Sequence, residues 1–315
     1  MNIVILDYLT LGDDLDLSGA SRFGNVIKYP VTSQAEAPER VRDADVIIVN
    51  KVKMNEDVLK DAKSLKLICE TATGYDNIDI NYCKKRGILV ANTPAYSTSC
   101  VAQVTVSMAC SLMTHLHEYR RFVHEGEYQK SVSANMLKPI YHEMDGLTWG
   151  IIGFGNIGRG VAKIASAFGC NVIVNKRTPV DDFPCVDLES LLKSSDIISI
   201  HCPLTDKTRG MIGREQLEMM KKDAIIINVA RGAVWDEDAV AQAVIDKKIG
   251  GIGCDVFSYE PIRDSHPFIK ILDYDNVLLT PHMAWGSFES RTRCFNTVLS
   301  NIEAYLNGNA KNIVC

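Results

Sequence analysis

The sequence predicts an α/β protein of two domains, each built on a parallel sheet flanked by helices. Three observations carry that prediction. Short β-branched apolar runs alternate with polar, helix-compatible stretches over the first hundred residues and again from Leu147, which is the pattern of parallel sheets covered on both faces. At 315 residues the chain has the length of about two domains. A glycine motif, Gly153-Phe154-Gly155-Asn156-Ile157-Gly158, stands between the apolar run Leu147–Ile152 and an amphipathic stretch from Arg159 to Phe168.

In chain order, Asn2–Leu6, Val46–Val49, Leu67–Ile68 and Ile88–Val90 read as strands, with helix-compatible stretches such as Glu56–Ala62 and Asp79–Arg86 between them. Asn92-Thr93-Pro94-Ala95 breaks the series. One long helix is expected from about Ser99 to His124, with Ala102, Val106, Ala109, Leu112, Met113 and Leu116 recurring along it. Six further strands follow, at Ile151–Ile152, Val172–Val174, Ile197–Ile200, Ile225–Val229, Gly251–Asp255 and Val277–Thr280. Six is the number that two mononucleotide-binding halves require. The tail, Ser290–Leu306, is helical again. No flexible linker interrupts the chain, so the domain boundaries fall in compact connections near residues 95 and 285.

Composition excludes several function classes. Hydrophobic content of 46% and charged content of 23% are those of a globular protein. A net charge of −5 argues against a nucleic-acid partner. No apolar run approaches the roughly 20 residues of a membrane span, so no membrane partner is expected. Met1–Asp7 has no basic leader and reads as a first strand rather than a signal peptide. The ten cysteines lie between Cys69 and Cys315 without a C-x-x-C pair, and are expected to be free thiols of a cytoplasmic protein. His115, His117 and His124 read as a solvated helix face, and no metal site is expected.

The glycine motif has a physical reading. Gly153 permits a tight turn, Gly155 lets backbone approach a pyrophosphate, and Gly158 lets helix and strand pack closely. The helix that follows offers free N–H groups and a positive dipole end to phosphates. Three later residues name a reaction. Arg231 follows the strand at 225–229, Glu260 lies five residues past Asp255, and His282 follows Thr280-Pro281. All three fall just beyond strand C-termini, the edge where open α/β sheets bind ligands. Reduction of a 2-oxo acid by hydride needs a cation for the carboxylate and an acid for the carbonyl oxygen. Arg231 suits the first role through its planar fork, and His282 suits the second. Glu260 is placed to hold the imidazole and stabilise its protonated form.

With these residues the chain resembles the D-isomer-specific 2-hydroxyacid dehydrogenases over nearly its whole length. The matching segments are Thr73–Asp79, Asn92–Pro94, Gly153–Gly158, His201–Thr205, Asn228–Gly232, Asp255–Phe257 with Glu260-Pro261, and Thr280–His282. Pro94–Thr98, Pro281–Trp285 and, more loosely, Leu6–Thr10 are similar to the glycerate dehydrogenase (hydroxypyruvate reductase) branch. The resemblance implies a Rossmann-type nucleotide domain, residues 98–284, inserted into a flavodoxin-like substrate domain, residues 1–97 plus 285–315. It implies catalytic roles for Arg231, Glu260 and His282. It places Thr73, Gly74, Tyr75, Arg231, His282 and Trp285 against substrate. Thr73, Gly153, Gly155, Asn156, Ile157, Gly158, Cys202, Val229, Ala230, Asp255 and His282 are placed against the dinucleotide. It also implies a homodimer formed through the nucleotide domain, with the helix near residues 99–124 in the interface.

One position departs from the family. An acidic residue normally ends the second strand of the nucleotide domain and binds the ribose 2′-OH. Here Val172–Val174 is followed by Asn175-Lys176-Arg177-Thr178, and Lys176 occupies the acidic position. Lys176, Arg177 and the Thr178 hydroxyl suit a 2′-phosphate instead, so NADP is the expected cofactor, with NAD the alternative. The expected substrate is a small 2-oxo acid such as hydroxypyruvate or glyoxylate. The bulk of Tyr75 and Trp285 equally suits a larger apolar or aromatic one. A nucleotide-sensing, corepressor-like binding module is the non-enzymatic alternative, and the complete Arg–Glu–His set argues against it.

Overall fold

The computed structural model describes residues 1–315, which form two compact units: Met1–Ser97 with Gly286–Cys315, and Thr98–Trp285. The second unit is thus inserted into the first. Trp285, expected in the substrate domain, falls in the inserted unit and packs against its core.

The first unit contains strands β1 (Asn2–Ile5), β2 (Asn25–Lys28), β3 (Val46–Val49), β4 (Leu67–Glu70) and β5 (Leu89–Ala91). Its helices are α1 (Ala37–Val41), α2 (Glu56–Leu59) and α3 (Ile80–Arg86). The sheet is parallel throughout, in the order β2-β1-β3-β4-β5, the flavodoxin order. β3 and β4 are buried along their whole length, as expected of near-continuous apolar runs between two helical layers. β2 was not expected from the sequence. It is a largely exposed edge strand, Asn-Val-Ile-Lys, held by its register with β1 rather than by burial. α2 is also shorter than the 56–62 stretch expected.

The inserted unit opens with α4 (Thr98–Met113) and α5 (Leu116–His124) in place of the single helix expected. The two are bent by 64°. The Thr114 hydroxyl donates to the Cys110 carbonyl at 2.6 Å, and His115 adopts a left-handed backbone (φ 52°), which the α-helix does not accommodate. Then follow β6 (Thr148–Ile152), α6 (Asn156–Ala167), β7 (Asn171–Asn175), α7 (Leu188–Ser194), β8 (Ile197–Ile200), α8 (Arg214–Glu218), β9 (Ile225–Asn228), α9 (Glu237–Ile245), β10 (Gly251–Cys254) and β11 (Val277–Leu279). A final helix, α10 (Phe288–Leu306), returns to the first unit and buries Cys294, Phe295, Val298 and Ile302 there.

The six strands of the inserted sheet run in the order β11-β10-β9-β8-β6-β7, all parallel. They are not two symmetric three-strand halves. The third strand of the first half is reduced to a single parallel bridge between Val174 and Cys185. Counting that bridge, the order is the 3-2-1-4-5-6 series with one strand added, and strand order reverses between β6 and β8. One face of this sheet is covered by α4 and α6, which approach closely: a Cβ on Gly160 would lie 3.2 Å from the Ala102 Cβ. The small residues of the 99–124 stretch are therefore core residues of this unit, as Ala102 and Ala109 show by being fully buried.

Candidate active site

The glycine motif occupies the switch point between β6 and β8. Gly153 sits at φ 89°, and a Cβ there would lie 2.4 Å from the Cys202 nitrogen and 2.7 Å from its Cα. No side chain fits against that backbone, so the first glycine is required by both conformation and space. A Cβ on Gly158 would lie 2.5 Å from the Gly153 carbonyl oxygen, the close helix-on-turn packing expected of the third glycine. Gly155 differs, with open space where its Cβ would stand. It is the N-cap of α6 and provides no side-chain acceptor, so the N–H groups of the first turn face outward uncapped. α2, α3, α7, α9 and α10 each have an N-cap side chain that accepts such an N–H. An uncapped helix start with an open cradle at Gly155 fits a bound diphosphate.

The basic stretch adjoins this turn. The Gly153 N–H donates to the Asn175 carbonyl at 3.0 Å, which fixes Lys176 immediately beyond the glycine loop. Neither the Lys176 ammonium nor the Arg177 guanidinium meets a protein acceptor, and Arg177 and Thr178 are exposed. The nearby Asp182 pairs with Arg159. On the next strand, His201 is sequestered between its neighbours with Nε2 3.0 Å from the Ser199 hydroxyl, which also accepts from Trp149 Nε1 at 2.9 Å. Burial pushes the His201 imidazole down to about 3, so it is neutral and carries no charge into the site. Cys202, buried, is raised to about 11 by the same cause and is a packing thiol rather than a thiolate.

The three candidate catalytic side chains, Arg231, Glu260 and His282, follow β9, β10 and β11. Arg231 follows β9 with extended backbone, and its Nη1 donates to the Ala230 carbonyl at 2.8 Å. That places the guanidinium at the strand end beside Val229 and Ala230. His282 Nδ1 lies 2.7 Å from Glu260 Oε2, and the two side chains are 25% and 28% exposed. Glu260 Oε1 in turn accepts the Phe257 N–H at 3.0 Å. With Nδ1 directed at a carboxylate, the ring presents Nε2 as its reactive nitrogen.

His282 is itself held in a left-handed backbone, φ 53°. The group that holds it is Asp255, 1% exposed at the end of β10. Its carboxylate accepts from Thr280 Oγ1 at 2.5 Å, Met283 N at 2.9 Å and Ala284 N at 2.9 Å. Burial pushes the Asp255 carboxyl up, and these three donors and the charge of His282 oppose that rise. The sequence reading assigned Asp255 to the dinucleotide and did not foresee that its oxygens are committed to the turn bearing His282. Thr280 was missed as a functional residue as well. The signals for both were their positions, one at the end of each neighbouring strand, and their places in the matching segments Asp255–Phe257 and Thr280–His282.

Thr73, Gly74 and Tyr75 lie in the first unit, just past β4. The Thr73 hydroxyl donates to the Thr93 carbonyl at 2.9 Å and its own carbonyl accepts from Asn92 Nδ2 at 2.8 Å, which fixes the loop's conformation. Trp285 belongs to the second unit.

The family model for the D-isomer specific 2-hydroxyacid dehydrogenase NAD-binding domain matches residues 106–284, which contain the glycine turn, Arg231, Glu260 and His282. The chain is 35% identical to a hydroxypyruvate reductase of Blautia hydrogenotrophica, over 100% of this chain and 99% of that one. The chain belongs to the D-isomer-specific 2-hydroxyacid dehydrogenase family. A glycerate dehydrogenase of Methylorubrum extorquens is 39% identical, over 89% of this chain and 88% of its own. A D-lactate dehydrogenase from Aquifex aeolicus, solved with NAD and lactic acid, superposes with a TM-score of 0.88 at 30% identity, covering 100% of this chain and 99% of that chain. As a 2-hydroxyacid dehydrogenase the protein is an oxidoreductase that uses a nicotinamide cofactor.

Proposed function

We propose that the protein reduces hydroxypyruvate or glyoxylate to the D-2-hydroxy acid, or to glycolate from glyoxylate, with NADPH as the preferred reductant. The observation that carries the reaction is the His282–Glu260 pair at 2.7 Å, at the same sheet edge as Arg231 and the glycine turn. The names of the relatives support the substrate class.

In this reading the Arg231 guanidinium binds the substrate carboxylate. The uncapped first turn of α6, at Asn156, Ile157 and Gly158, would hold the cofactor diphosphate, with Cys202, Val229 and Ala230 at the neighbouring strand ends. The bound nicotinamide supplies the hydride. Protonated His282 gives its Nε2 proton to the carbonyl oxygen as that oxygen gains charge, and His282 keeps its Nδ1 proton, donated to the Glu260 carboxylate, throughout. In the reverse direction neutral Nε2 takes the hydroxyl proton.

The NADPH preference rests on Lys176 and Arg177, two unpaired cations placed beside the glycine turn by the Gly153–Asn175 hydrogen bond, where no carboxylate awaits a free 2′-OH. Measuring kcat/KM for a panel of 2-oxo acids with each cofactor tests both parts. NADPH should be preferred by about tenfold or more, one charge-assisted contact being roughly 1.5–3 kcal/mol. Lys176→Asp should reverse the preference. Equal or better use of NADH by the unaltered protein overturns the cofactor assignment.

The exposed apolar residues Leu116 and Val123 on α5, continued by Leu137, Ile140 and Tyr141, support a homodimer that covers them. Sedimentation equilibrium tests it, and a monomer at micromolar concentration contradicts it. The ten cysteines form no disulfide, which supports a reducing, cytoplasmic location.

A further inference from the structure

Glu260 is the terminus of a longer chain of contacts. Its carboxylate is set by the turn Phe257–Glu260, whose Phe257 N–H it accepts at 3.0 Å. The next N–H of that turn, Ser258, donates to Glu237 Oε1 at 2.8 Å. Glu237 Oε2 lies 3.1 Å from His266 Nε2, off the line of an ideal hydrogen bond, and the two side chains are 11% and 7% exposed. His266 Nδ1 accepts the Phe268 N–H at 3.2 Å, so the proton of the neutral ring sits on Nε2, toward Glu237. The ring also meets Phe257 edge to face at 5.5 Å and Phe268 at 5.0 Å.

A glutamate this sheltered needs a reason. Glu237 opens α9, but that helix already has its cap, because Asp236 accepts the Ala239 N–H. Glu237 therefore serves the turn rather than its own helix. From the other side, the turn lies hard against Gly232, where a Cβ would stand 2.0 Å from the Phe257 carbonyl carbon and 2.1 Å from Ser258 N. The turn is clamped between the segment that follows Arg231 and the Glu237–His266 pair.

We propose that Glu237 and His266 are positioning residues for proton transfer: they fix the Phe257–Glu260 turn so that Glu260 meets Nδ1 of His282. This rests on the reading of Glu260 and His282 as the proton-transfer pair. Neither residue touches substrate, so the signature is a loss in kcat with little change in KM.

The test is a double-mutant cycle on the full-length protein, with kcat and KM for hydroxypyruvate measured at saturating NADPH. Glu237→Gln and His266→Asn should each lower kcat about tenfold and leave KM within about twofold, a part of the 10²–10⁴ that acid–base catalysis supplies. Glu260→Gln should cost more, and adding Glu237→Gln to it should cost nothing further, because the pair acts only through Glu260. Undiminished kcat in both single variants, or full multiplication of the losses in the double variant, overturns the proposal. If Glu237→Gln does not fold, as read by thermal unfolding and NADPH binding, His266→Asn carries the same cycle, since it leaves the Ser258–Glu237 bond in place. An active Glu260→Gln enzyme refutes the underlying assignment instead, so the two failures are separable.

Discussion

Replacing Asp255 by Ala should both destabilise the inserted unit and disable the reaction. The carboxylate is the acceptor for Met283 N and Ala284 N, and for the Thr280 hydroxyl. In the Ala variant the two backbone N–H groups keep no partner, at about 1–3 kcal/mol each, while the hydroxyl can rotate to another acceptor. Against this stands the release of a buried carboxyl whose burial pushes its pKa up, which offsets part of that cost. The two N–H groups together cost about 2–6 kcal/mol before that offset. Without these acceptors nothing offsets the roughly 1–2 kcal/mol that a left-handed non-glycine residue costs, so the turn should leave the φ 53° conformation of His282. Trp149, Trp235 and Trp285 are the three tryptophans and all lie in the inserted unit, so tryptophan fluorescence in a urea titration reads its unfolding directly. Steady-state kinetics on the same preparation should show kcat reduced by at least about a hundredfold. A stability change under about 1 kcal/mol with normal kcat refutes the idea that Asp255 braces the His282 turn.

Two more predictions follow from local geometry. Gly153→Ala forces a Cβ to 2.4 Å from Cys202 N at φ 89°, so it should destabilise the unit by about 3 kcal/mol or more and weaken dinucleotide binding, measured by urea unfolding and cofactor fluorescence. Glu70→Gln should stabilise the first unit at pH 8. Glu70 is fully buried with Oε1 unpaired and its pKa raised well above the ordinary value, first by burial and then by Asp7. A raised acid pKa means that the native state holds its proton longer than the unfolded chain, so stability falls as pH rises through the native pKa. The amide keeps an acceptor for Asn77 Nδ2 and carries no charge, so its gain, about 1–3 kcal/mol at pH 8, should shrink toward pH 4.5. Calorimetry at the two pH values checks the sign, and a gain larger at the acid end contradicts it.

Much of the molecule was legible in residue order. The central strands of the inserted sheet are apolar on both faces, so runs such as Ile225–Ile227 stand out, and the turns after β6, β9 and β11 carry Gly153, Arg231 and His282 at a predictable edge. What was not legible depended on tertiary contact. β2 is an exposed edge strand stabilised by pairing, which leaves no apolar period to read. The break at His115 comes from one backbone conformation inside a stretch of good helix formers. Asp255, Glu237 and His266 act through groups 21 to 29 residues away in sequence, and spacing alone does not reveal such partners.

The central claim is that His282, set by Glu260, passes the proton while a nicotinamide passes the hydride. Its most direct measurement is NADPH consumption by the purified protein with hydroxypyruvate, beside the His282→Gln variant, with chirality of the product determined. The unaltered protein should form D-glycerate, and the variant should lose about a hundredfold or more in kcat while still binding NADPH. Turnover undiminished in the variant, or an L-configured product, would contradict the account.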